Sequence, residues 1–233
     1  MNQGQKQSKI ENFKIISQER GRTNILKEYE QKTIAFLVPL IPSWISSDML
    51  TAIGFLGSII IFVSFILAGS INDSFLLLGV FGFMINWFGD SLDGRLAYYR
   101  NIPRKWYGFS LDLTTDWIGN ILMGIGYLIY ANGYWEIFGF GFVVLYGWEI
   151  ITTLIRYKVT EKYSIDSGII GPTEARFVIS GILILEVLLK DSIQYSVAIV
   201  CVILFFLNIS DTIKLLKLAD ARDKEENEMK KNE

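Results

Sequence analysis

The chain has 233 residues, a formal net charge of −2, one cysteine and no histidine. It is 51% hydrophobic with a mean hydropathy of +0.35, more apolar than an ordinary soluble domain. These values exclude a disulfide framework, Cys₄-type zinc and every histidine-based catalytic or metal site, and the charge gives no reason to expect a nucleic-acid partner.

The expected fold class is an all-α integral membrane protein of six transmembrane helices preceded by an N-terminal amphipathic interfacial helix. Residues 1–46 form the first segment, a cytoplasmic N-terminus. Its start, Met1 to Lys9, is polar, so no secretory signal peptide is expected. Ile25, Leu26, Tyr29, Phe36, Leu37 and Leu40 then fall near one helical face, opposite Lys27, Glu28, Glu30, Gln31 and Lys32. Such a helix lies in the membrane interface or docks on the bundle from the solvent side. Pro39 and Pro42 end it, and Ser46-Ser47-Asp48 is placed to cap the next helix.

Residues 47–216 hold six apolar stretches, each near the roughly 20 residues a membrane-crossing helix needs. They run about 49–68, 75–98, 106–130, 135–155, 169–189 and 193–213. Basic residues alternate between the connections. The N-terminus carries Lys6 to Lys32, the second connection Arg100, Arg104 and Lys105, and the fourth Arg156, Lys158 and Lys162. The first and third connections carry none, and the tail is basic again. The positive-inside bias therefore places both termini and both basic loops in the cytoplasm. The expected location is the plasma membrane of a prokaryote. Residues 217–233 form a charged tail, expected as a solvated or frayed helix.

Four aspartates sit at the cytoplasmic ends of spans two and three. Asp90 and Asp93 share a helical face with Gly94 and Ala97, and Asp112 stacks on Asp116 one turn later. Ionisable groups at membrane depth mark function by default. Facing carboxylates repel unless some protonate or cations bind, and oxygen-only ligands favour hard divalent ions such as Mg²⁺ or Mn²⁺. Two such ions are a recurrent device for phosphoryl chemistry. A divalent-cation channel or carrier is the competing reading. It would spread its acids along a path through several spans, whereas these gather at one end of two.

The stretch Asp90-x-x-Asp93-Gly94-x-x-Ala97, followed by Gly108-x-x-x-Asp112-x-x-x-Asp116, resembles the signature of the CDP-alcohol phosphotransferases. It matches at seven of eight specified positions. The resemblance implies that Asp90, Asp93, Asp112 and Asp116 bind metal, with Asp116 also deprotonating the acceptor hydroxyl. It implies that Gly94, Ala97 and Gly108 let a cytidine diphosphate lie close to the helices, and that Asp48 and Thr51 stand near the nucleotide. The acceptor hydroxyl would attack the phosphorus distal to cytidine, with CMP leaving. The donor would be CDP-diacylglycerol with a polar alcohol as acceptor, or a CDP-choline- or CDP-ethanolamine-like molecule with a lipid alcohol. A homodimer is a further expectation from the resemblance.

The sequence departs from the pattern at Tyr98, where the family has arginine. Arg100 projects within roughly 20° of Asp93 if the helix continues, and is expected to take its place at the donor with Lys105 nearby. Arg104, Arg156 and Arg176 are the candidate acceptor contacts, forming with the loop lysines a cationic mouth suited to a phosphorylated alcohol.

Overall fold

The computed structural model describes residues 26–161 and 171–232. The start of the predicted interfacial helix, the more distal N-terminal basic residues, Lys162 and the start of the predicted fifth span lie outside them. Every regular element among the described residues is helical: α1 (Lys27–Leu37), α2 (Ser47–Ser70), α3 (Leu76–Tyr99), α4 (Lys105–Tyr130), α5 (Ile137–Thr160), α6 (Pro172–Leu188) and α7 (Ser192–Asn232).

Local chemistry sets the helix ends. The Ser46 hydroxyl oxygen accepts the Met49 N–H at 3.1 Å, the cap that Ser46-Ser47-Asp48 predicts for α2. The Asn72 side chain accepts the Ser74 N–H at 2.8 Å in the tight α2–α3 connection. α3 ends because Asn101 turns left-handed at φ 55°, a region asparagine tolerates. Arg100 is thus the last turn's cap, and its side chain does not run on beside Asp93. Its guanidinium donates to the carbonyls of Ile45 (2.5 Å), Pro42 (2.9 Å) and Ile41 (3.3 Å), tying α3 to the segment ahead of α2. At the opposite end of the bundle the Glu186 carboxylate, only 2% exposed, accepts the Ile193 and Asp191 N–H groups and the Tyr130 hydroxyl. It thereby joins α4 and α6 to the first turn of α7.

Among the described residues, four helical stretches are long and apolar enough to cross a membrane: Ser47–Ser70, Asp73–Tyr99, Gly133–Thr160 and Ser192–Lys231. The described residues are all-helical in their regular structure, and these four stretches mark a membrane protein. Two of the six expected spans fall short for separable reasons. α4 carries Lys105, Asp112, Asp116 and Asn120 among its apolar residues. α6 has 17 residues, about 26 Å of helix against a hydrocarbon core of about 30 Å. α7 runs unbroken for 41 residues, so the charged tail continues the last apolar helix.

α2 and α3 form the tightest pair. Glycines face each other across it: a Cβ on Gly57 would stand 2.6 Å from the Gly82 carbonyl oxygen, and one on Gly54 would stand 3.1 Å from the Asp90 nitrogen. Side chains this small let two backbones approach, the packing mode of helices in apolar surroundings. Ile34 of α1 and Val38, the first residue after it, are buried with Leu50, Leu92 and Leu96 beneath this pair. Ile61, Phe65, Phe83, Tyr127 and Leu183 form a second core toward the other end.

Candidate active site

The close α2–α3 contact places the end of α3 beside the first turns of α2 and the middle of α4. Asp90 from α3 and Asp112 and Asp116 from α4 each offer a carboxylate oxygen within 4.8 Å of the others. The i, i+4 spacing of the α4 pair put both acids on one face, and that face meets α3. Only oxygen donors are present, and a hard divalent ion fits such a set.

Asp93 is buried and held separately. Its Oδ2 accepts the Thr51 hydroxyl at 2.6 Å, its Oδ1 accepts the neighbouring Gly94 N–H, and its carbonyl accepts the Ser47 hydroxyl at 2.7 Å. The first turns of α2 therefore orient this carboxylate. Thr51 accordingly sits against Asp93, while Asp48 forms an ion pair with Arg104.

Arg176 reaches the cluster from α6. Its Nη2 donates to Asp90 Oδ2 at 2.5 Å and its Nε donates to Asn86 Oδ1 at 2.8 Å. Asn86 spends its own N–H groups on the Gly54 carbonyl (3.1 Å) and the Ser58 hydroxyl (3.2 Å). Asn86 was not anticipated from the sequence. The signal available was an amide four residues before Asp90 on the same face as the packing glycines.

A cavity of about 860 Å³ opens beside the cluster. Asp90, Asp93 and Asp112 are at its inner wall, and Gly94, Ala97, Tyr98, Arg100, Lys105 and Gly108 line it together with Asp48, Thr51 and Arg104. A Cβ on Gly94 or Gly108 would meet nothing within 4 Å, in contrast to the glycines of the α2–α3 contact. These two glycines border open space, as room for a bulky ligand requires. Asp48 pushes the Arg104 guanidinium above its ordinary pKa, through their hydrogen bond first and its charge second, and the group stacks 4.2 Å from the Tyr107 ring. It is cationic at any working pH.

The three arginines expected at the acceptor do not converge. Arg104 is at the cavity and Arg176 at Asp90, but Arg156 pairs with Asp211 of α7 at 3.7 Å, with the two side chains 15% and 4% exposed. Asp211, one helix away, competes for Arg156, and no local pattern around residue 156 announces it. Lys158 offers its carbonyl, with that of Val159, to Arg222 on α7.

The sequence pattern of the CDP-alcohol phosphatidyltransferase family matches residues 44–209 of this chain. That stretch begins ahead of α2 and ends within α7, so it contains the whole cluster and every residue lining the cavity except Ser43. No curated protein matches the chain.

Proposed function

The chain belongs to the CDP-alcohol phosphatidyltransferase family, and from that premise we propose that it transfers a phosphatidyl group from CDP-diacylglycerol to a polar alcohol, with release of CMP, in phospholipid biosynthesis. One observation carries this reading: three aspartates from two facing helices converge at the edge of a cavity large enough for a nucleotide diphosphate.

Asp90, Asp93, Asp112 and Asp116 would hold one or two divalent ions, Mg²⁺ or Mn²⁺. Such ions supply positive charge at the diphosphate and at the attacking and leaving oxygens. The protein's own groups do the rest. Asp116 takes the proton from the acceptor hydroxyl. The hydroxyl oxygen bonds to the phosphorus distal to cytidine as the bond from that phosphorus to the CMP oxygen breaks. Gly94, Ala97 and Gly108 leave space for the diphosphate, and Thr51 fixes the Asp93 carboxylate. Asp48 and Tyr98 border the nucleotide. Lys105 and Arg104 place cationic charge at the donor and acceptor, respectively. Arg100 holds the cavity wall through its three carbonyls and adds charge to it. Arg176 and Arg156 stay as acceptor candidates, Arg176 with the better position. The gathering of the acids at one end of two helices favours transfer over a conduction path.

We place the catalytic unit at 47–216, between a cytoplasmic segment 1–46 and the tail 217–233. We read all six long helices as membrane-embedded, with α1 in the interface and both termini and the cavity on the cytoplasmic side of a prokaryotic plasma membrane. α4 is short of apolar residues because its first half carries the site's aspartates, and α6 is short in length, with Arg176 near its start directed to the cluster. A homodimer completes the proposal.

The test is CMP release by purified protein with a divalent ion, CDP-diacylglycerol or CDP-choline as donor, and a panel of polar and lipid alcohols. CMP from CDP-diacylglycerol with one polar alcohol is expected. CMP only from CDP-choline with a lipid alcohol would contradict the donor. Thr51→Val, which removes the hydroxyl bonded to Asp93, is expected to lower kcat/KM about 10–100-fold while Thr51→Ser keeps it. Titrating the divalent ion in both variants checks this.

A further inference from the structure

Two contacts tie α1 to the first turn of α6. Glu30 is only 5% exposed, and its Oε1 accepts the Thr173 hydroxyl at 3.0 Å. The Leu26 N–H, at the start of α1, donates to Glu174 Oε1 at 2.9 Å. The other Glu174 oxygen accepts the Gly171 N–H at 3.0 Å, which fixes the same turn from within. Thr173 itself is buried.

α1 is also seated on the other side. Ile34 and Val38 are buried among Leu50, Leu92 and Leu96. Leu92 and Leu96 flank Asp93 along α3, and Leu50 precedes Thr51 on α2. α1 thus spans from α3, the helix that carries Asp90 and Asp93, to α6, the helix that carries Arg176. Thr173 and Arg176 are three residues apart, neighbours on one turn of α6. Thr173 turns toward α1, and Arg176 turns toward Asp90 and Asn86. An α-helical turn is held by its own backbone bonds, so a displacement of Thr173 carries Arg176 with it. The Arg176–Asp90 contact is charge-assisted and directional, and such bonds are sensitive to displacement.

We infer that α1 is a positioning strap for the aspartate cluster: Glu30, through Thr173, sets the height of Arg176 against Asp90 and so orients one of the converging carboxylates. Neither Glu30 nor Thr173 lines the cavity, so both act through Arg176 and are positioning residues. The inference rests on the reading of the cluster as a divalent-metal site. Groups that orient a ligating carboxylate change metal affinity by about 10–100-fold, and a residue one step further out belongs at the low end. A helix that merely adds packing to the bundle would change the melting temperature and leave the affinity alone.

The experiment uses the full chain in lipid nanodiscs, with Mn²⁺ binding followed by the EPR signal of free Mn²⁺ and thermal unfolding recorded in EDTA. Thr173→Val removes the donor at nearly constant volume, Glu30→Met removes the acceptor, and Thr173→Ser keeps the bond. Thr173→Val and Glu30→Met are each expected to weaken Mn²⁺ binding about tenfold. Thr173→Ser should bind like the parent. The double variant should be no weaker than either single one, because both remove the same link. Should Thr173→Val fail to fold, Glu30→Met carries the test alone. Parental Mn²⁺ affinity in folded Thr173→Val or Glu30→Met, with affinity lost in Asp112→Asn, would overturn the strap and leave the metal site standing. Parental affinity in Asp112→Asn itself would overturn the metal reading, and the strap with it.

Discussion

Asp112→Asn is expected to lower CMP release by about a thousandfold or more while the protein stays folded, and Asp116→Asn by at least as much. The substitution keeps the size of the side chain and removes its charge. Asp112 offers one of three carboxylate oxygens gathered within 4.8 Å, and a divalent ion loses both charge and a preferred donor when a carboxylate becomes an amide. Asp116 has a second duty in this account, since it receives the acceptor proton, and a lost general base alone lowers rates about 10²–10⁴-fold. The two residues serve one arrangement, so the double variant should be hardly slower than either single one. Stability should move the other way. Removing one of several clustered like charges relieves their repulsion, so the melting temperature in EDTA should hold or rise. Steady-state CMP release and thermal unfolding on the same preparations read both effects.

Gly89→Ala is expected to break the structure where Gly94→Ala does not, although the two glycines stand five residues apart on α3. A Cβ on Gly89 would press into the Gly54 nitrogen and Cα and the Leu50 carbonyl oxygen, all backbone atoms of α2. Backbone cannot rotate out of the way, so the helices must separate. Overpacking of this kind costs about 1–3 kcal/mol, sometimes more. The separation would also pull Thr51 from Asp93 and the Gly54 carbonyl from Asn86, so activity falls together with stability. A Cβ on Gly94 meets nothing within 4 Å. Gly94→Ala should therefore keep the parental melting temperature and raise the KM for the CDP donor, whose space it enters. Equal melting temperatures for the two variants would contradict the close α2–α3 contact.

Features that depend on neighbours in sequence were legible before any coordinates. The spacing of Asp90, Asp93, Asp112 and Asp116 gave two acidic faces, and α2, packed against both α3 and α4, holds them within reach of each other. Ser46 announced its own cap. What escaped was decided by partners far along the chain. Arg100 was expected at the donor because a continuing helix would aim it beside Asp93. The left-handed turn at Asn101 ends α3 instead, and Arg100, which still lines the cavity, donates to three carbonyls at 41–45. Arg156 looked like a loop cation until Asp211, more than fifty residues on, was found against it. Arg176 was placed near the site, but its bond to Asp90 and the support from Asn86 could not be read from either residue's surroundings. The tail was expected as a solvated or frayed helix, and it is helical, because propagation from α7 continues through a polar run of good helix formers such as Ala, Arg, Lys and Glu.

The most direct test of the central claim is whether CMP release depends on a divalent ion held by these aspartates. Purified protein is stripped with EDTA, given CDP-diacylglycerol and a polar alcohol acceptor, and assayed for CMP before and after Mg²⁺ or Mn²⁺ is restored, beside Asp112→Asn and Asp116→Asn. The account predicts no CMP without the ion, CMP once it is restored, and none above background from either variant. CMP formed at the same rate without the ion, or by the two variants as fast as by the parent, would contradict it.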